Sequence, residues 1–406
     1  GAVGPHCPRC ARPRPVVGLT VVGPGPGPGA GAGDGDGGGA AGSSSPDLPS
    51  FDSLGAWPGV LTGILAGTSL TAGQAEVVLG QVLAGQAAPA QIAALAVALR
   101  AKGESVEEMT GFVRAMAAHA VPLGLPDGTD VIDTCGTGGD RLRSINVSTI
   151  AALVVAATGA KVCKHGGRAS SSAVGAADVL EALGVVADLG PNGVARCIAE
   201  VGMGFCFAPR FHPAMRYAAP VRRELGIPTV FNYLGPLANP GRARYQVVGV
   251  SNPAMADKML GVLAANGARR AMIVYGDDGL DELSTTGPST VHELVAVADG
   301  RYETTRYRVD PADLGFARAA IEDLRGGDAD FNAEAIRRVI AGDASPHRDI
   351  AVLNAAAALT VIGRSADLAS GVSLASAVID DGRATRVLDA LVRVSQEASA
   401  DDLTGD

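Results

Sequence analysis

Asp133-Thr134-Cys135-Gly136-Thr137-Gly138-Gly139-Asp140, followed closely by Asn146-Val147-Ser148-Thr149, is the stretch on which the reading turns. Val131-Ile132-Asp133 is strand-like, the glycines make a loop, and the apolar run Val147–Thr158 reads as a helix. Glycine lets backbone N–H groups turn inward and approach an anion closely. Asn146, Ser148 and Thr149 then offer polar groups at a helix N-terminus, where the dipole favours phosphate. The spacing matches neither the P-loop nor the dinucleotide loop. Taken alone, it also suits an ordinary glycine-rich strand-to-helix turn.

Working outward, the same strand-to-helix rhythm repeats. Lys161-Val162-Cys163, Gly204–Phe207, Tyr245–Val250 and Ala271–Tyr275 are strand-like, and they alternate with helical runs over Ala176–Leu183, Val194–Val201 and Met255–Asn266. Alternation of this kind predicts an α/β domain with a largely parallel sheet flanked by helices. Val291–Val297 and Tyr302–Val309 read as an antiparallel pair across Ala298–Arg301. Upstream, Trp57 to about Leu123 is helical in pattern, with capping boxes at Thr71–Gln74 and Ser105–Glu108 and a helix start at Pro89. The predicted organisation is a Gly/Pro-rich disordered tail over 1–50 and a small all-helical domain over 51–128, completed by helices from about 210–240. An α/β domain over 129–397 and a tail over 398–406 follow.

Composition sets bounds on what such a chain does. Of its 406 residues, 47% are apolar and 18% charged, so a sizeable core is expected; aromatics are only 4%, so that core is aliphatic. A net charge of −9 argues against broad nucleic-acid or anionic-membrane binding. Phosphate handling would need positive potential gathered at one place. Residues 1–50 hold 14 of the 55 Gly and 9 of the 24 Pro, too little apolar surface to offset ordering entropy. Cys7 and Cys10 form a lone C-x-x-C, half a zinc site without a second pair. The other cysteines, Cys135, Cys163, Cys197 and Cys206, are scattered, which points to a reduced, cytoplasmic setting. No apolar run reaches the roughly 18 residues of a membrane span, and no secretory signal pattern opens the chain.

Three further segments carry chemistry. Lys164-His165-Gly166-Gly167-Arg168-Ala169-Ser170-Ser171-Ser172 sets two cations and three hydroxyls just after a strand, which suits a pyrophosphate or phosphate ester. His165 reads more readily as a buried histidine satisfied by backbone than as a proton-transfer group. Gly276-Asp277-Asp278-Gly279-Leu280-Asp281-Glu282 puts carboxylates at the C-terminal end of a strand, where they can hold a hard divalent ion or serve as surface acids at a turn. Phe207-Ala208-Pro209-Arg210-Phe211-His212-Pro213-Ala214-Met215 leads to Val221-Arg222-Arg223, where an arginine can clamp a carboxylate; for Arg223 a solvated helix face is the better reading.

The order G-T-G-G-D, N-V-S-T, K-H-G-x-R, F-H-P, V-R-R-E-L-G-I-P-T-V-F-N-x-L-G-P-L-x-N-P and G-x-D-E resembles the anthranilate phosphoribosyltransferases of tryptophan biosynthesis, from about residue 57 to about 397. The resemblance implies a helical domain and an α/β domain with the site in the cleft between them, a homodimer through the helical domain, and two Mg²⁺ per subunit. Gly136, Gly139, Asp140, Ser144, Asn146, Val147, Ser148 and Thr149 would surround phosphoribosyl pyrophosphate (PRPP). Lys164, His165, Gly166, Gly167, Arg168, Ala169, Ser170, Ser171 and Ser172 would complete the phosphate contacts. Ser148, Asp281 and Glu282 would serve the metal. Arg222 would hold the anthranilate carboxylate, with Gly136, His165, Gly167, Pro209, His212 and Met215 along the acceptor path and Lys164 and Arg222 as the catalytic pair. The chain departs from the pattern at Gly167, where the family has Asn, and at Val174, Ala176, Tyr217 and Tyr233. Phosphate-site residues are mainly retained while acceptor-site residues drift, which leaves open a different aromatic acid as acceptor. A nucleic-acid-binding homologue and a nucleoside phosphorylase of related fold are further alternatives; the −9 charge and the intact Asp281-Glu282 pair count against the first.

Overall fold

A computed structural model describes residues 48–138, 142–169 and 174–404. Most of the expected 1–50 tail, with Cys7 and Cys10, therefore lies outside the described residues, as do Gly139, Asp140 and Ser170–Ser172.

The first α-helices among the described residues are α1 (Ala56–Leu65), α2 (Ala72–Leu83), α3 (Pro89–Lys102) and α4 (Val106–Ala118). Both expected capping boxes are formed: Thr71 and Gln74 bond reciprocally, as do Ser105 and Glu108. Glu108 does more than cap. Its buried carboxylate also takes the Leu70 N–H at 3.1 Å and pairs with Lys102 at 2.9 Å, tying the loop before α2 to α4. α2 and α4 pack closely because Gly111 has no side chain to hold them apart.

The rest is built on one sheet. Among the described residues its strands are β1 (Ile132–Gly136), β2 (Val162–Gly166), β3 (Met203–Phe207), β4 (Tyr245–Gly249), β5 (Arg270–Gly276), β6 (Ser289–Ala296) and β7 (Tyr302–Val309). Their order is β3-β2-β1-β4-β5-β6-β7; the pairings from β3 to β5 are parallel, and β5–β6 and β6–β7 are antiparallel. The interleaved helices are α5 (Val147–Ala156), α6 (Ala176–Ala182), α7 (Pro191–Glu200), α8 (Ala208–Phe211), α9 (Ala219–Leu225), α10 (Phe231–Leu237) and α11 (Ala256–Ala265). Four more close the chain: α12 (Ala329–Ile340), α13 (Pro346–Val361), α14 (Leu368–Asp380) and α15 (Arg383–Thr404).

The sheet separates two cores. One is filled by α5, α6, α7 and α12–α15; the other joins α10, α11 and the opposite sheet face to α1–α4. α9 packs on α3 and α10 on α4, so the segment after β3 leaves the sheet to complete the helical unit. Strand order reverses direction at β1, and in open α/β sheets the crevice at such a point, beyond the strands' carboxyl ends, is where ligands bind.

Two details depart from the sequence reading. β2 continues through Gly166, because Gly166 stays paired with Phe207 of β3, so Lys164 and His165 stand on the strand itself rather than after it. α15 continues to Thr404, so residues 398–404 extend a helix instead of forming a separate tail.

Candidate active site

A cavity of about 230 Å³ lies at the C-terminal ends of β1 and β2 and the N-terminus of α5. Gly136, Ser144, Asn146, Val147, Ser148, Thr149, Lys164, His165, Gly166, Gly167, Arg168, Asp281 and Glu282 line it. Three regions far apart in sequence are thus brought to one place.

Glycine is required there for a specific reason. Asp281 lies over the ends of β1 and β4, accepting the Gly138 N–H at 2.7 Å. A Cβ at Gly136 would sit 2.5 Å from its carboxylate, and one at Gly249 would sit 1.5 Å from its backbone oxygen. Neither distance is sterically possible. The remaining acids of the same loop are used structurally: Asp277 pairs with Arg308, and Asp278 accepts from the hydroxyls of Ser284 and Thr286 at 2.5 Å each. Asp281 and Glu282 alone among them face the cavity.

Lys164 is 1% exposed and its Nζ donates to the Thr134 carbonyl at 2.6 Å and to Ser148 Oγ at 3.2 Å. Burial pulls its ammonium below the usual lysine value, and the Asp133 carboxylate beside it opposes that shift. Asp133 is itself pushed up by burial and drawn back by Lys164. His165 donates Nδ1–H to the Gly235 carbonyl at 3.1 Å, since a carbonyl only accepts; this leaves Nε2 as an unprotonated atom with no partner among the described residues. Burial, reinforced by His212, lowers its pKa to about 3, so the ring is neutral.

Several residues play other parts than expected. Asn146 turns away from the helix end: its amide donates to the Val174 carbonyl at 3.1 Å and its oxygen accepts from Asn332 at 2.9 Å. Arg168 lines the cavity, yet its guanidinium is already engaged by Glu181 at 2.7 and 2.8 Å and by Asp178 at 3.0 Å. Ala169 donates its backbone N–H to Asp178 at 3.0 Å.

Of the residues expected along the acceptor path, Gly136, His165 and Gly167 line this cavity, whereas Pro209, His212, Met215 and Arg222 lie outside its lining. Pro209 is in α8 and Met215 in the turn after it. His212 is buried with Nε2 bonded to the Ala238 carbonyl at 2.9 Å, and its ring centre is 5.1 Å from that of His165. Arg222 sits in α9 over the Phe231 ring at 5.9 Å; desolvation lowers its pKa, and no carboxylate pairs with it among the described residues. Gly167 faces open space, its nearest neighbour being the Ala208 Cβ, 4.0 Å from where a Cβ would stand.

Thr137 and Gly138, quoted in the glycine loop without roles of their own, and Arg143 and Gly175, which the sequence reading passed over, also line the cavity. Arg143 has φ +55°, a costly conformation for a residue with a side chain, and no acid pairs with it among the described residues. Its place three residues past the glycine loop was the only available hint.

Residues 128–385 match the family described as "Glycosyl transferase family, a/b domain", and residues 58–120 match "Glycosyl transferase family, helical bundle domain". The anthranilate phosphoribosyltransferase of Rhodococcus jostii is 50% identical over 338 residues, 82% of this chain and 91% of that protein. This chain belongs to the anthranilate phosphoribosyltransferase family. A crystal structure of the Thermus thermophilus family member superposes with a TM-score of 0.77 at 40% identity, covering 83% of this chain and 99% of that one. The Saccharomyces cerevisiae family member, solved in complex with PRPP and Mg, gives 0.73 at 26% identity, covering 86% and 97%. The two family matches fall on the α/β unit and on the helical unit of this chain.

Proposed function

We propose that this chain transfers the 5-phosphoribosyl group of PRPP to the amine of anthranilate, releasing pyrophosphate in tryptophan biosynthesis. The observation that carries this reading is the convergence of a buried lysine, a helix N-terminus, a glycine loop and two acids on one cavity, in a chain of this family.

The chemistry follows from charge. As the bond from the anomeric carbon to the pyrophosphate oxygen breaks, positive charge grows on the ribose and negative charge on the departing diphosphate. Lys164 and the positive end of the α5 dipole stand at the cavity where that negative charge would gather, and preorganised electrostatic stabilisation of this sort is often the largest catalytic contribution. The aromatic amine is nucleophilic as it stands, so its nitrogen forms the new bond and no protein nucleophile is needed. Arg222, without a carboxylate of its own, is suited to take the acceptor's carboxylate through two parallel hydrogen bonds and aim the amine. His165, which lines the cavity, is neutral and adds no charge there.

Asp281 and Glu282 fit a hard divalent ion: two carboxylates and a serine hydroxyl leave the remaining positions to phosphate oxygens and water, the usual Mg²⁺ arrangement. Bound there, Mg²⁺ would neutralise the pyrophosphate charge. Ser148 Oγ already accepts a hydrogen bond from Lys164, so its part in a metal site would come at the expense of that bond. Two Mg²⁺ per subunit, a homodimer through the helical unit and a cytoplasmic setting belong to the same proposal. The last is supported by Cys135, Cys163, Cys197 and Cys206, all free thiols; among the described residues no helix is long and apolar enough to cross a membrane.

Incubation with PRPP, Mg²⁺ and anthranilate tests the reading: anthranilate fluorescence falls as pyrophosphate appears one for one. No loss of either substrate sinks it. The open space at Gly167 favours one variant of the proposal, a bulkier aromatic acid as acceptor, and a panel of aromatic amino acids and hydroxybenzoates ranked by kcat/KM decides between them.

A further inference from the structure

β1 and β2 share one register pair, Ile132 with Val162, and further along the Asp133 side chain of β1 bonds to the β2 backbone. Asp133, fully buried, accepts the His165 backbone N–H on Oδ1 at 3.2 Å and the Asn239 amide on Oδ2 at 2.8 Å. Asn239 is held so that it cannot flip. Its nitrogen also donates to the Cys163 carbonyl at 2.7 Å, while its oxygen accepts the Gly241 N–H at 2.8 Å. Two acceptors on one side and a donor on the other fix the amide's orientation.

The His165 N–H belongs to the peptide bond that joins Lys164 to His165. Successive side chains on a strand point to opposite faces, so this one peptide sets the Lys164 ammonium against Thr134 and Ser148 and the His165 ring against Gly235 and His212, both residues lining the cavity. A neutral residue at 133 would satisfy the same N–H; a carboxylate there adds a negative charge facing the buried Lys164 ammonium. A buried charge costs more than an apolar filling would, so plain packing does not call for it.

We propose that Asp133, locked by Asn239, is a positioning residue for the transfer reaction: it fixes the Lys164–His165 peptide and thereby sets the donor-side ammonium and the acceptor-side ring in register. The inference rests on the phosphoribosyl-transfer reading above. Asp133 touches neither substrate in this scheme. Its effect therefore falls on turnover of the bound complex, while PRPP stays held by the other groups lining the cavity, the α5 N-terminus among them.

The test compares wild type, Asp133→Asn, Asn239→Asp and the double swap for kcat, the KM for PRPP and melting temperature. Asp133→Asn sets one NH₂ against another, and Asn239→Asp sets one carboxylate against another. Each single variant is expected to lose at least tenfold in kcat with the KM for PRPP within threefold. The swap restores a donor facing an acceptor and is expected to exceed Asn239→Asp at least threefold in kcat. Recovery is partial because the carboxylate introduced at position 239 would still face the Cys163 carbonyl. A kcat for Asp133→Asn within twofold of wild type, or a swap no better than Asn239→Asp, overturns the proposal. Lower melting temperatures with unchanged kcat overturn it too, since that is the signature of a purely structural role. If Asp133→Asn does not fold, Asn239→Ala replaces it, with kcat down at least threefold as the expected result and unchanged kcat as the overturning one. Absence of turnover in the wild type would instead strike the phosphoribosyl-transfer reading itself.

Discussion

A side chain at Gly249 or Gly136 would occupy the place of Asp281, so the acid reaches the cavity only because two strands end in glycine. That geometry gives the Asp281-Glu282 pair its weight. Replacing both with Ala should lower kcat by at least a hundredfold and flatten its dependence on Mg²⁺ concentration; near-normal turnover in a Mg²⁺ titration would remove the metal assignment. His165 gives a pH prediction. Its folded pKa is about 3 against 6.5 for the free side chain, so the unfolded state takes up the proton first as the medium acidifies. The stability it contributes is complete above pH 6.5 and is lost as pH falls toward 3, at roughly 1.4 kcal/mol per pH unit, or about 2–3 kcal/mol between pH 6.5 and 4.5. Urea unfolding at those two pH values should show a smaller drop in His165→Gln than in wild type; an equal drop would assign the acid sensitivity to other groups.

At the scale of elements, what could be read in the sequence depended on whether an element has two different sides. The capping boxes at Thr71 and Ser105 announced α2 and α4, and the alternating apolar runs announced β1 to β5. α13 gave no such signal: Ile350 to Val361 is buried all round, so its sequence has no polar face to set a period. Arg168 was legible as a cation but not as one already paired, because Asp178 and Glu181 approach it only once α6 is in place. Asp133 and Asn239 were quoted within motifs, yet the bond between them spans 106 residues and exists only in the folded sheet. The packing of α2 on α4 is a contact of the same kind. A Cβ at Gly111 would lie 2.0 Å from the Ala72 carbonyl oxygen and 2.8 Å from the Ala75 Cβ. Ala favours helix over Gly by about 1 kcal/mol, but such an overlap forces the helices apart at a typical cost of about 1–3 kcal/mol or more. Gly111→Ala should therefore lower the melting temperature; a rise would mean that helix propensity outweighs the close approach.

For the whole molecule, the division of labour lies between the sheet, which supplies the donor cavity, and the helical unit, which α9 and α10 rejoin to carry Arg222 and cover the opposite core. A homodimer through the helical unit needs apolar surface there, and it exists: Leu65 at the end of α1 is 73% exposed, Val97 of α3 is 42% exposed, and Ile227, just past α9, is 49% exposed. α1 and α9 both pack against α3, so these side chains sit on adjoining elements. Single exposed apolar residues are common on any surface, but three on adjoining elements of the helical unit mark the region where a partner subunit would gain most. Paired substitution Leu65→Glu with Val97→Glu places two carboxylates where burial would leave them without partners. Wild type should sediment at twice the chain mass and the double variant at the chain mass. PRPP binding should survive in the variant, because none of the three residues lines the donor cavity. A double variant that remains dimeric would move the subunit contact to another face, and a monomeric wild type would remove the dimer altogether.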